Sequence, residues 1–193
     1  MKYKFVITAV FTLLFANFAM ADNEAVDDRE LYAQQSFYAE NGTNFGTNYG
    51  TGTCHPVNEK FKMVKINTRL FGQGDSMTVS DLNNGGSIEI KNVNKYTHLT
   101  ISGLKDRMFS DKEVNLTGHS QAVREAISKC EVIKGMTKEE VLLARGYPPT
   151  HTTASLDSNV WTYWYQRMSK GTVNFTNGKV TSIEGSIQPR TMY

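Results

Sequence analysis

The residues of this chain best suited to nucleophilic, redox or metal chemistry are two cysteines, Cys54 and Cys130, and four histidines at 55, 98, 119 and 151. Cys54 and His55 are neighbours in sequence, which does not make them a nucleophile and base, because that pairing is an arrangement in space. The histidines show no i, i+4 pair of the kind that builds a helical metal site. Gly72-Gln73-Gly74 has two of the glycines of a phosphate-binding loop but lacks the further glycine and the helix that must follow. Glu139 and Glu140 form a carboxylate pair in sequence only, since adjacent helix positions point in different directions. The expectation is a protein with no catalytic residues, no metal and no cofactor.

Compartment is legible at the start of the chain. Lys2 and Lys4 precede an apolar run from Phe5 to Phe15, and Ala19-Met20-Ala21 places small residues where a leader is cut. Residues 1–21 are expected to be a signal peptide, since the run falls short of the roughly 20 apolar residues that span a bilayer. Asp22 stands where a lipoprotein would carry cysteine. The mature chain is thus expected in the periplasm, with no integral membrane span after leader removal. Without the leader, 19 basic residues face 19 acidic ones, and no basic surplus marks a nucleic-acid partner. In an oxidising compartment a lone cysteine pair tends to be bridged, so a Cys54–Cys130 disulfide is expected. A buried free thiol is the alternative for Cys130, which sits at a core-like helix position.

These residues are positioned by two expected modules of an α+β protein. Residues 22–55, rich in Asn, Gly and Thr, offer little apolar surface to offset backbone ordering and read as a flexible arm. Residues 56–105 carry apolar segments at Phe61–Leu70, Met77–Val79, Ile88–Val93 and Tyr96–Ile101, separated by Gly and Asn turns. That spacing predicts a small antiparallel β-barrel-like module, which resembles a bacterial Src-homology-3-like barrel. Residues 106–116 connect it to a second module at 117–187, which begins with a helix over Thr117–Lys129 whose buried face holds Val123, Ile127 and Cys130. Thr137 and Glu140 have the spacing of a capping box, and Gly146 with Pro148-Pro149 ends that second helix near 145. Three strands follow, the last two joined by Asn177-Gly178, the dipeptide of a type I′ hairpin.

Lys134-Gly135-Met136-Thr137-Lys138-Glu139-Glu140-Val141, Gly146-Tyr147-Pro148, Trp161-Thr162-Tyr163 and Val173-Asn174-Phe175 with Asn177-Gly178-Lys179-Val180 occur in an order that resembles the BamE/SmpA-OmlA family of outer-membrane assembly lipoproteins. The resemblance covers roughly residues 118–187 and implies two helices on a three-stranded antiparallel sheet, an ααβββ module. Family members carry a lipidated cysteine at the mature N-terminus and are not expected to carry a preceding β-rich segment. The same layout is similar to the repeat of the β-lactamase-inhibitor protein, a second fold that serves protein binding.

The expected role is therefore a non-catalytic scaffold or adaptor that docks another envelope or outer-membrane protein. Two other readings stay open: a secreted inhibitor that plugs an enzyme's cleft, and an enzyme of unrecognised type. The expected contact residues are Arg145, Tyr147, Pro148, Pro149 and His151, in a rigid turn with the aromatic and cationic groups found at interface hot spots, and Trp164. Trp161, Tyr163 and Tyr165 share the other face of their strand and are expected in the core.

Overall fold

The computed structural model describes residues 29–46, 48–69 and 74–188; the expected leader, the start of the expected arm, Leu70 and Gly72-Gln73 lie outside them. The chain is mixed α+β. In order it forms β1 (Glu30–Ala33), β2 (Phe37–Ala39), β3 (Thr43–Phe45), β4 (Thr53–His55), β5 (Lys60–Asn67), β6 (Ser76–Asp81), β7 (Ser87–Lys91), α1 (Asn94–Thr97), α2 (Ile101–Met108), β8 (Phe109–Ser110), α3 (Gln121–Ser128), α4 (Lys138–Arg145), β9 (Val160–Gln166), β10 (Ser169–Thr176) and β11 (Lys179–Gly185).

The first half is a curled six-stranded sheet in the order β3-β7-β6-β5-β1-β8. Alternation along β5, β6 and β7 sends Phe61, Met63, Met77, Val79, Ile88 and Ile90 to one face, where they pack on Phe37, Ile101, Leu104, Met108 and Phe109. Two expectations need correction. The sheet is not self-contained within 56–105: it recruits β1 and β3 from upstream and β8 from downstream, and β3 joins β7 in parallel. The segment Tyr96–Ile101 is not a strand; it holds the end of α1 and the start of α2. Thr100 accepts a hydrogen bond from the Gly103 amide at 3.2 Å, and Ile101, Leu104 and Met108 then fall on one buried helix face.

The expected arm is also corrected, because residues 30–55 contain four strands. Phe37 and Tyr38 are buried, and β1 is held on both sides, by β5 and by β8. Its few apolar side chains suffice because both cores reach it. Phe37 enters the first core, while the Tyr38 hydroxyl donates to the Cys130 carbonyl at 2.8 Å.

The second half places α3 and α4 before an antiparallel sheet ordered β11-β10-β9. The helix expected from Thr117 starts later, at Gln121, where the Ser120 hydroxyl accepts from the Val123 amide. Helix α4 keeps its expected bounds. Thr137 Oγ1 accepts from the Glu140 amide at 3.2 Å, and Glu140 Oε2 accepts from the Thr137 amide at 2.7 Å. Asn177 and Gly178 both have positive φ, 51° and 74°, as a two-residue hairpin turn requires. Trp161 and Tyr163 fill the core with Val173, Phe175 and Val180, while Tyr165 is half-buried.

Glu140 links this cap to pH. Burial pushes its carboxyl up, but the Thr137 amide and a 2.8 Å contact from His119 Nδ1 outweigh that and hold it below the ordinary range. A depressed folded value contributes stability that is present above the unfolded value of about 4.3 and is lost as pH falls through the folded one. Glu140→Gln should therefore flatten the acid limb of stability against pH, at a cost of about 1 kcal/mol at neutral pH. Denaturant melts from pH 7 to 3 check this, and parallel acid limbs for both proteins would refute it.

Candidate functional site

The two halves meet at a seam, and the seam is built from the expected contact loop. Gly146 leaves α4 with φ 78°. A Cβ there would lie 2.7 Å from Asn48 Nδ2 and 2.9 Å from the Ser36 carbonyl oxygen, so only glycine permits this approach. Pro148 and Pro149 are buried, and the Thr150 amide donates to the Tyr96 carbonyl at 2.8 Å.

Arg145 does not belong to an exposed turn, contrary to expectation: it is fully buried. Its Nε donates to the Ile187 carbonyl at 2.7 Å, and one terminal nitrogen donates to the carbonyls of Asn48 at 2.8 Å and Trp164 at 3.1 Å. The guanidinium centre lies 5.0 Å from both the Tyr38 and Tyr163 ring centroids. Burial lowers its pKa, while burial pushes the Tyr38 phenol up to about 12. This arginine binds the C-terminal segment, β9 and the 48–50 loop into one unit. Arg145 is therefore not available as a contact residue.

Tyr147, His151 and Trp164 do reach one surface, and they meet a residue that sequence reasoning assigned elsewhere. The His151 ring lies 4.3 Å from that of Tyr96 in α1 and 6.2 Å from that of Trp164 in β9, nearly parallel to the latter at 17°. Lys95 Nζ stands 4.8 Å from the Tyr96 centroid, and Lys170 Nζ stands 6.0 Å from that of Trp164. The result is a row of three rings with a cation at each end. Burial and then Lys95 hold the His151 pKa below its ordinary value, so the middle ring is neutral at neutral pH.

Beside the row, the Arg107 guanidinium sits 4.2 Å from the Tyr147 ring centroid. A cleft between Tyr96, Tyr147, Pro148 and Arg107 reaches inward to Gln35, whose buried Oε1 lacks a hydrogen-bond partner. Trp164 Nε1 is likewise buried and unpartnered. Such groups carry an unmet hydrogen-bonding capacity. Tyr96, Lys95 and Arg107 were missed because their link to residues 147–164 is purely tertiary.

A second constellation lies inside the first half. His55 Nδ1 is 3.2 Å from Glu59 Oε2 and 3.8 Å from Asp81 Oδ2. All three side chains are buried. Burial pushes the Asp81 carboxyl up, but the amides of Asn84 and Asn83, the Asn84 side chain and Glu59 together hold it below the ordinary range. A search for histidine pairs overlooks this site, since its other members are carboxylates brought in from β6 and from the loop before β5.

The disulfide is present as expected, joining Cys54 of β4 to Cys130 just after α3. Among the described residues no helix is long and apolar enough to cross a membrane. Comparison of the chain with protein-family models, with curated proteins and with solved structures finds no match.

Proposed function

We propose that this protein is a non-catalytic docking protein of the cell envelope, which holds another envelope protein on the surface formed by Tyr96, Tyr147, His151 and Trp164. The observation that carries this reading is the convergence of these rings from α1, the post-α4 loop and β9, flanked by Lys95, Arg107 and Lys170. Aromatic and arginine side chains supply most interface energy, because they bury large areas at small entropic cost. Tyr96, His151 and Trp164 already pack in a row, so little ordering is needed on binding. A disulfide suits an oxidising, exported compartment, and the ααβββ order, with its resemblance to outer-membrane assembly factors, points to an envelope protein as the occupant.

The test is site-specific photo-crosslinking in intact cells, with the crosslinker at His151 and, as a control, at the exposed Val64. One dominant protein adduct is expected from position 151 and not from 64. Trp164→Ala in the 151-labelled protein should reduce that adduct, and with the purified partner should weaken binding about 30-fold, matching roughly 2 kcal/mol for a hot-spot aromatic. Equal adducts from both positions, or capture unchanged by Trp164→Ala, would remove this surface from the docking role.

A further inference from the structure

We propose that His55, Glu59 and Asp81 form a binding site for a divalent transition ion of the zinc class. The three residues come from the end of β4, the loop before β5 and the end of β6. They are 4%, 7% and 4% exposed, so each is more than nine-tenths buried. Their candidate ligand atoms, one imidazole nitrogen and two carboxylate oxygens, all lie within 4.8 Å of one another. Zinc bonds of about 2.0–2.2 Å in a tetrahedron separate neighbouring ligand atoms by about 3.3–3.5 Å. The observed 3.2 Å and 3.8 Å spacings bracket that range, so small side-chain shifts would complete the coordination.

The supporting contacts are those of a ligand set. Asp81 Oδ1 accepts from the amides of Asn83 at 2.9 Å and Asn84 at 3.0 Å, which fixes the carboxylate and turns Oδ2 inward. Glu59 Oε1 accepts from Asn84 Nδ2 at 2.8 Å, which turns Oε2 inward. The same Asn84 amide reaches Asp81 Oδ2 at 3.2 Å. The imidazole is oriented by stacking 5.0 Å from the Phe37 ring, with Phe61 edge-on at 5.8 Å. Carboxylates fixed by hydrogen bonds and a histidine with a fixed ring plane are what outer contacts give a metal site.

Charge favours the same occupant. Two buried carboxylates beside one histidine leave a net negative charge even when the imidazole is protonated, and an uncompensated buried charge is costly. A dication bound by a neutral imidazole through a hydrogen-free Nδ1 cancels both carboxylates. Three protein ligands leave a fourth position for water. The exposed turn Leu82–Gly86 follows Asp81 directly and carries the Asn83 and Asn84 amides that hold its carboxylate.

The test uses the full-length mature protein with its disulfide intact, stripped by chelator and titrated with zinc. Calorimetry should show one ion per chain, and the melting temperature should rise with zinc concentration. In the unmutated protein, the His55 imidazole nitrogen resonances should shift on zinc addition while those of His119 and His151 stay in place. Glu59→Gln, which keeps the side chain's size but turns one acceptor oxygen into a donor, should weaken zinc binding at least tenfold. Absence of binding, resonance shifts at another histidine, or unchanged affinity in Glu59→Gln would each overturn the site. The nitrogen shifts decide the matter even if Glu59→Gln fails to fold.

Discussion

Replacing Arg145 by methionine is expected to destabilise the protein by about 3–5 kcal/mol, more than other single changes at the seam. Methionine fills similar volume but offers no donors, so the Ile187 and Asn48 carbonyls lose hydrogen bonds of 2.7 and 2.8 Å inside the fold. The Trp164 carbonyl keeps the Gly50 amide at 3.0 Å and suffers less. Two ring contacts, with Tyr38 and Tyr163, disappear with the charge. Arg145→Lys should not rescue, because a point charge on a flexible stem cannot meet carbonyls spread around a planar fork. Denaturant melts of the wild type and both variants measure this. A loss below about 1 kcal/mol for Arg145→Met would mean that the guanidinium contributes nothing beyond its volume.

The second large effect is expected from the disulfide. Cys54 and Cys130 are 76 residues apart, and closing a loop of that length stabilises by about 4.5 kcal/mol in the chain-entropy model. At roughly 2–4 °C per kcal/mol for a chain of this size, the double variant Cys54→Ala, Cys130→Ala should melt about 10–15 °C lower. The bond crosses between the halves: Cys54 pairs with Tyr38 in the β2–β4 ribbon, and Cys130 is fully buried behind α3. Its loss should therefore loosen the ribbon first. Hydrogen exchange should rise at residues 37–39 and 53–55 before it rises in β10. Reduced and oxidised protein with the same melting temperature would defeat this expectation.

The features legible in the sequence are those whose cause is local. Helix α4 was placed with its bounds because the Thr137–Glu140 cap, Gly146 and the prolines act within a few residues. The last hairpin followed from Asn177-Gly178, and the core role of Trp161 and Tyr163 from alternation along one strand. Segment 94–108 misled because Tyr96, Leu99 and Ile101 mimic strand spacing; the Thr100 cap and the Ile101, Leu104, Met108 stripe win once the first sheet provides a face to cover.

The candidate surface was half legible. Tyr147, His151 and Trp164 are close enough in sequence to be grouped by reading, and they do converge. Tyr96 lies more than fifty residues upstream, and its place beside His151 depends on the Thr150 amide bonding its carbonyl. The same is true of His55, whose partnership with Asp81 exists only once β4, β5 and β6 are folded.

Caps and turns thus determined the helices and hairpin of the second half, because each rests on a residue's own conformational preference or on neighbours within a turn, while the cysteine count pointed to the cross-link that joins residues 76 apart. Tertiary structure alone decided that residues 30–46 and 48–55 are ordered, that Arg145 is an internal hub, and that two candidate sets of side chains meet. In each of these the stabilising free energy comes from groups tens of residues apart, where spacing along the chain carries no trace of distance in space.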